Sequence, residues 1–169
     1  MKIKNFLLLL FCSVATASCC MNKDMATPSV IPQEFLDAIN NSNSVKWYLI
    51  DAACGNAEKA CSMHDYGNIV FAFDETNPNR KKFITDTLTA RDSFEIHEMS
   101  KNSTFMPDVA IVFIAGSDTV EVMYSFYCDV CRFFKSGFYM DFDGEKVRNP
   151  LMSVLSEIFP QDKCFIKLK

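Results

Sequence analysis

The chain has 169 residues, 49% of them hydrophobic, with 17 basic against 21 acidic side chains and a net charge of −4. A chain of this length buries a core without needing metal or disulfides, so stability does not demand its eight cysteines. No basic cluster exceeds the short run Asn79-Arg80-Lys81-Lys82-Phe83, which excludes the electrostatic footprint of a nucleic-acid binder.

Residues 1–18 read as a signal peptide. Lys2 and Lys4 form a positive head, Phe6 to Ala15 an apolar run too short to remain as a membrane-spanning helix, and small residues follow. Ala15-Thr16-Ala17 fits the small-x-small pattern of ordinary cleavage. Thr16-Ala17-Ser18-Cys19 resembles a bacterial lipobox, with Thr16 where that pattern has Leu; Cys20 is a second, poorer candidate. The resemblance implies that Cys19 carries lipid, becomes the mature N-terminus and holds the protein to a membrane, each buried CH₂ contributing about 0.8 kcal/mol. Residues 19–31 then form a short polar tether containing Pro28. The expected location is the bacterial cell envelope, or the periplasm or medium if ordinary cleavage prevails.

Residues 32–169 contain no repeat and no Gly/Pro/Ser-rich linker, so they read as a single domain. Pro32 opens a short amphipathic helix through Asn41, with Phe35, Leu36 and Ile39 on one face. Val45 to Cys54 is a strand rich in branched and aromatic residues, and Asn68 to Asp74 is another, closed by the breaker Glu75-Thr76-Asn77-Pro78-Asn79. Pro78 to about Ala90 turns helical, with Phe83, Ile84 and Leu88 on roughly one side, and Ser93 to Met99 alternates as a brief strand.

The strongest pattern lies further on. Asp108–Ala115 and Thr119–Cys128 flank the turn Gly116-Ser117-Asp118 as a hairpin, and Gly137–Phe142 and Glu145–Arg148 flank Asp143-Gly144 as a second. Asn149 and Pro150 start a last helix that places Leu151, Val154, Leu155, Ile158 and Phe159 on one stripe, with Pro160 ending it. The expected class is α+β: an antiparallel β-meander with helices packed on one side.

Without the signal, Cys20, Cys54, Cys61, Cys128, Cys131 and Cys164 remain besides Cys19. Cys54 and Cys61 are the candidate local disulfide, because the intervening Gly-Asn-Ala-Glu-Lys-Ala is turn-like. Cys128 and Cys131 are the candidate redox pair. If the strand from Thr119 continues through them, their Cα atoms stand about 10 Å apart on opposite faces, beyond the roughly 7 Å a disulfide spans. The stretch Tyr124 to Phe134 resembles the active-site segment of thioredoxin-fold disulfide-exchange proteins. That resemblance implies a helix starting at the motif, with Cys128 as nucleophile and Cys131 as resolving thiol.

Cys54, Cys61, His64, Cys128 and Cys131 could also be combined as zinc ligands, but Cys-x6-Cys-x2-His lies outside the usual zinc-binding loops. No metal or other cofactor is expected. His64 and His97 lie in no hydrolase or zinc-protease motif, and the acidic pairs Asp141/Asp143 and Glu95/Glu98 read as solvated charge rather than as catalytic acid and base. Phe126 to Met140 carries more aromatics than one strand face can bury, and exposed ones would mark a partner surface. The expected function is therefore an exported, lipid-anchored binding module for a protein or small-molecule ligand, with no assigned catalytic residue. A thiol-disulfide exchange protein and an envelope immunity or inhibitor protein are the alternatives.

Overall fold

The computed structural model describes residues 29–51, 64, 66–96 and 104–160. They form three helices and six strands: α1 (Gln33–Asn40), β1 (Ser44–Asp51), β2 (Asn68–Asp74), α2 (Pro78–Thr89), β3 (Val109–Ala115), β4 (Asp118–Ser125), β5 (Val130–Lys135), β6 (Phe138–Asp143) and α3 (Glu145–Ile158). One sheet takes all six strands in the order β2-β1-β3-β4-β5-β6, every neighbouring pair antiparallel. The chain is thus α+β, with β3 to β6 running as a meander and α2 linking the two strands that flank β1.

All three helices cover one face of the sheet. Because side chains alternate along a strand, Val45, Trp47 and Leu49 of β1, Ile111 and Phe113 of β3, Val122 and Tyr124 of β4, and Cys131 and Phe133 of β5 share that face. They pack under Phe35 and Ile39 of α1, Ile84 and Leu88 of α2, and Leu151, Val154 and Leu155 of α3 in one continuous buried cluster. Phe83 shares a helix with Ile84 and Leu88 yet is turned outward and exposed. Helix α2 starts where Asn77 caps it, its side-chain oxygen accepting from the N–H groups of Asn79 (3.0 Å) and Arg80 (3.3 Å).

Three expected elements come out differently. Strand β4 does not run on through Cys128: it ends at Ser125, the chain reverses over residues 126–129, and β5 returns with Val130 opposite Ser125. The reversal uses Asp129 at a φ of 51°, a left-handed conformation that a short polar residue tolerates.

The Asp143-Gly144 hairpin is likewise absent. Gly144 has a φ of −105°, and the Asp143 carboxylate accepts the N–H of Glu145 at 2.8 Å, so this pair starts α3. The hairpin turn is instead Ser136-Gly137, with φ values of 51° and 84°, closing β5 onto β6 with Lys135 opposite Phe138. Helix α3 consequently begins ahead of Asn149 and carries Pro150 inside it. The ring removes one helical hydrogen bond, which the burial of Leu151, Val154 and Leu155 outweighs.

The strand expected at Ser93–Met99 reduces to one bridge, Glu95 opposite Asp143; His97, Glu98 and Met99 lie outside the described residues.

Candidate functional site

Cys19, Cys20, Cys54, Cys61 and Cys164 lie outside the described residues. Cys128 and Cys131 are both free thiols, and the turn between β4 and β5 decides their setting. Cys131 faces the core opposite Tyr124 and is fully buried, and burial drives its thiol well above the usual range, with Asp141 adding to the rise. A thiol held protonated in this way is a weak nucleophile and a poor leaving group. Cys128 sits in the turn itself. The helix start that the disulfide-exchange resemblance implies is occupied here by a β-turn followed by strand β5.

That turn is locked from both sides. Asp108 Oδ2 accepts the Phe126 N–H at 2.7 Å, Arg148 Nη1 donates to the Phe126 carbonyl at 2.9 Å and pairs with Asp129, and the Gly144 N–H donates to the Asp129 carbonyl at 2.7 Å. The Tyr124 hydroxyl donates to Asp129 Oδ1 at 2.8 Å and lies 3.1 Å from the Gly144 carbonyl oxygen. Gly144 is required there because a Cβ would stand 2.6 Å from the Tyr124 ring. Every polar group in this cluster is engaged by another, which is the pattern of a structural clasp.

Burial raises the Asp108 carboxyl above its ordinary range, against the opposing pull of the Phe126 N–H and Arg148. A raised acid binds its proton more tightly in the folded state, so its contribution is full below the unfolded pKa and is lost as pH rises through the folded one. Asp108→Asn keeps an acceptor for Phe126 and removes the charge. Its unfolding free energy is therefore expected to exceed the parent's most at neutral pH, the gap closing as pH falls into the carboxylate range; urea titrations across pH 3–8 read this directly.

The sheet face away from the helices carries Met123, Ala110 and Ile50, packed against Tyr48, Tyr66, Phe105 and Phe134. Arg132 of β5 joins this face beside Met123. Its Nε and Nη2 each donate to Asp141 at 2.6 Å, Nη1 donates to the Tyr66 hydroxyl, and its guanidinium lies 4.1 Å over Phe105 and 4.3 Å over Tyr139. His64 stacks on Phe134 at 4.3 Å and bonds Glu121 through Nε2 at 2.7 Å. These contacts occupy the cation within the molecule, so Arg132 holds Tyr66 and Phe105 on the sheet and is not left for an anionic ligand.

Two hollows remain. One of about 250 Å³ between α2 and α3 is lined by Asn77, Asn79, Arg80, Phe83, Ser153 and Glu157, but Glu75 and Glu157 already engage its one cation. The other, about 100 Å³, is lined by Ser93, Glu95, Asp143, Glu145 and Lys146. Among the described residues no three His, Cys, Asp or Glu side chains gather as metal ligands, and no helix is long and apolar enough to cross a membrane.

Among the described residues, the outer edge of β6 is bridged at Asp143 alone. Phe138, Tyr139 and Met140 are consecutive and 76%, 56% and 38% exposed, which an edge strand ordinarily avoids. In a hairpin closed by two residues the flanking pair, Lys135 and Phe138, exchanges both backbone bonds, and the alternation continues with Met140 and Phe142. The N–H and C=O of Tyr139, Asp141 and Asp143 therefore point away from the sheet. Asp143 shows this directly, its N–H donating to the Glu95 carbonyl at 3.1 Å. Among the described residues nothing pairs with the backbone of Tyr139 or Asp141.

These are residues that motif reasoning missed, although the aromatic surplus from Phe126 to Met140 contained the signal. No protein-family model matches the chain, and no curated protein and no solved structure shows significant similarity to it.

Proposed function

We propose that this is an exported bacterial envelope protein, tethered to a membrane by lipid on Cys19, whose domain binds a protein partner by adding a strand to the outer edge of β6. In this reading residues 1–18 direct export, residues 19–31 form the tether and residues 32–169 fold as the binding domain, with no catalytic step, cofactor or nucleic acid involved. One observation carries the binding role: three consecutive exposed apolar side chains on an edge strand that, among the described residues, is bridged on its outer side at Asp143 alone. Main-chain bonds to such an edge supply affinity, and the side chains on alternate faces supply selectivity.

The lipid and the edge are tested separately. The mature protein is expected to carry acylated Cys19 as its first residue by intact mass, and an unmodified N-terminus after Ala17 would exclude the anchor. A photo-crosslinking amino acid at position 139 in intact cells is expected to give a discrete adduct that the same group at Phe83, exposed on the helix side, does not give. A smear common to both positions, or no adduct at 139, would remove the edge as the binding site.

A further inference from the structure

We infer that the hollow between α2 and α3 is a second binding site, which takes the ammonium group of a small alkylamine. The two helices line it with matching stripes. Asn79, Arg80 and Phe83 of α2 stand at i, i+1 and i+4, and Ser153, Val154 and Glu157 of α3 repeat that spacing. One wall therefore carries an amide and an aromatic ring, the other a hydroxyl and a carboxylate, and the buried Val154 adds an apolar floor.

Charge decides the sign of the ligand. Arg80 also lines the hollow, but its Nε and Nη2 donate to the buried Glu75 carboxylate at 2.6 and 3.0 Å, so that pair is neutral as a unit. Glu157 is left over. Its carboxylate is 62% exposed and stands 3.6 Å from Arg80 Nη1, beyond hydrogen-bond distance. The three groups together carry one negative charge, which draws a cation and repels an anion. A metal ion finds too few ligands here, because Glu157 is the one carboxylate lining the hollow.

A primary ammonium brings three N–H donors on a flexible apolar stem. Glu157, the Asn79 amide oxygen and the Ser153 hydroxyl supply three acceptors, and among the described residues neither of the latter two side chains has a hydrogen-bond partner. The stem meets Val154 and the ring of Phe83, which is 46% exposed and attracts a cation through its face. The volume of about 250 Å³ lies below the roughly 300–1,000 Å³ that drug-sized molecules occupy, which suits one short stem. Among the described residues Phe83 is also the one large apolar side chain exposed on any of the three helices. A single ring is far short of the roughly 800 Å² per partner of a stable protein complex, so the occupant is a small molecule.

The probe is n-butylammonium, titrated into isotope-labelled mature protein at constant ionic strength and followed by amide chemical shifts. Saturable shifts are expected at Phe83, Ser153 and Glu157, with a dissociation constant in the millimolar range because the contacts are half exposed. Butyrate, the same stem with the opposite charge, is expected to leave these signals in place. Glu157→Gln and Phe83→Ala are each expected to weaken binding about fivefold, while Phe83→Tyr keeps the ring and the affinity. The unfolding midpoint should barely move in any of them, since both side chains are largely exposed. Equal shifts with butyrate, or an affinity untouched by Glu157→Gln, would overturn the inference. A blocked lysine peptide binding at least tenfold tighter than the free amine would assign the hollow to a protein side chain and overturn it as well. Carbodiimide coupling of Glu157 to a lysine of the same chain in dilute protein would do so too, by showing the hollow filled from within.

Discussion

Phe133→Ala is expected to lower the unfolding free energy by about 3–5 kcal/mol, a large part of the roughly 5–15 kcal/mol that holds a domain together. The ring is fully buried and meets three others edge to face: Phe35 at 6.3 Å, Phe94 at 5.3 Å and Phe142 at 5.5 Å. These contacts join α1, the connection after α2 and the two last strands, so truncation leaves a hole whose lining belongs to four separate segments. Such a lining cannot close by moving one loop, which places the cost in the upper range for cavity formation. Urea denaturation measures it: the midpoint should fall with the slope unchanged. A loss below about 1 kcal/mol would mean that these rings do not pack as a unit.

The exposed face of β6 depends on the same ring from the other direction. Phe133 pairs with Met140 across β5 and β6, and a slip of one residue would turn every side chain of β6 to the opposite face. The buried Phe133–Phe142 contact thereby fixes which of the neighbouring aromatics are left outside. Variants that loosen this contact should therefore scatter the exposure of Tyr139 and Phe138 before they unfold the sheet.

How much of this is legible in the sequence follows from where the information resides. Strand β2 coincides with the expected Asn68–Asp74, and α2 with Pro78 to about Ala90, because Asn77 and Pro78 mark the helix start locally. The break after Ser125 carries no comparable mark. Phe126, Tyr127 and Cys128 continue the apolar run, no Gly or Pro interrupts it, and the groups that bend the chain, Asp108 and Arg148, lie far away in sequence. Asp143-Gly144 misleads for the opposite reason: a pair favoured in turns serves as a helix cap, its glycine demanded by the Tyr124 ring and not by backbone conformation. Misplacing those two turns also misplaces β5 and β6, and with them the exposed edge. The aromatic surplus is visible in the residues themselves, whereas the identity of the exposed ones follows only from register.

The second large effect is expected at Glu75, which follows β2. Its side chain is fully buried and accepts four bonds: from Arg80 Nε at 2.6 Å and Nη2 at 3.0 Å, from Trp47 Nε1 at 3.2 Å and from the Asn77 N–H at 2.8 Å. The carboxylate thus ties the interior strand β1 to the start of α2, and Arg80 extends the tie to Glu157 of α3 at 3.6 Å. Hydrogen bonding to Glu75 holds the Arg80 guanidinium above its already high range. Glu75→Ala removes the acceptor, leaving the nearly buried Arg80 with only the longer contact to Glu157 and the Trp47 indole N–H without its acceptor, at an expected cost of about 3–5 kcal/mol. Glu75→Leu combined with Arg80→Met removes both charges at similar volume and is expected to recover most of that loss, since desolvating an ion pair offsets much of its attraction. The two single variants and the double, compared by chemical denaturation, give the coupling energy. A double variant as unstable as Glu75→Ala would show that the bonds to Trp47 and Asn77, not the ion pair, hold this corner of the fold.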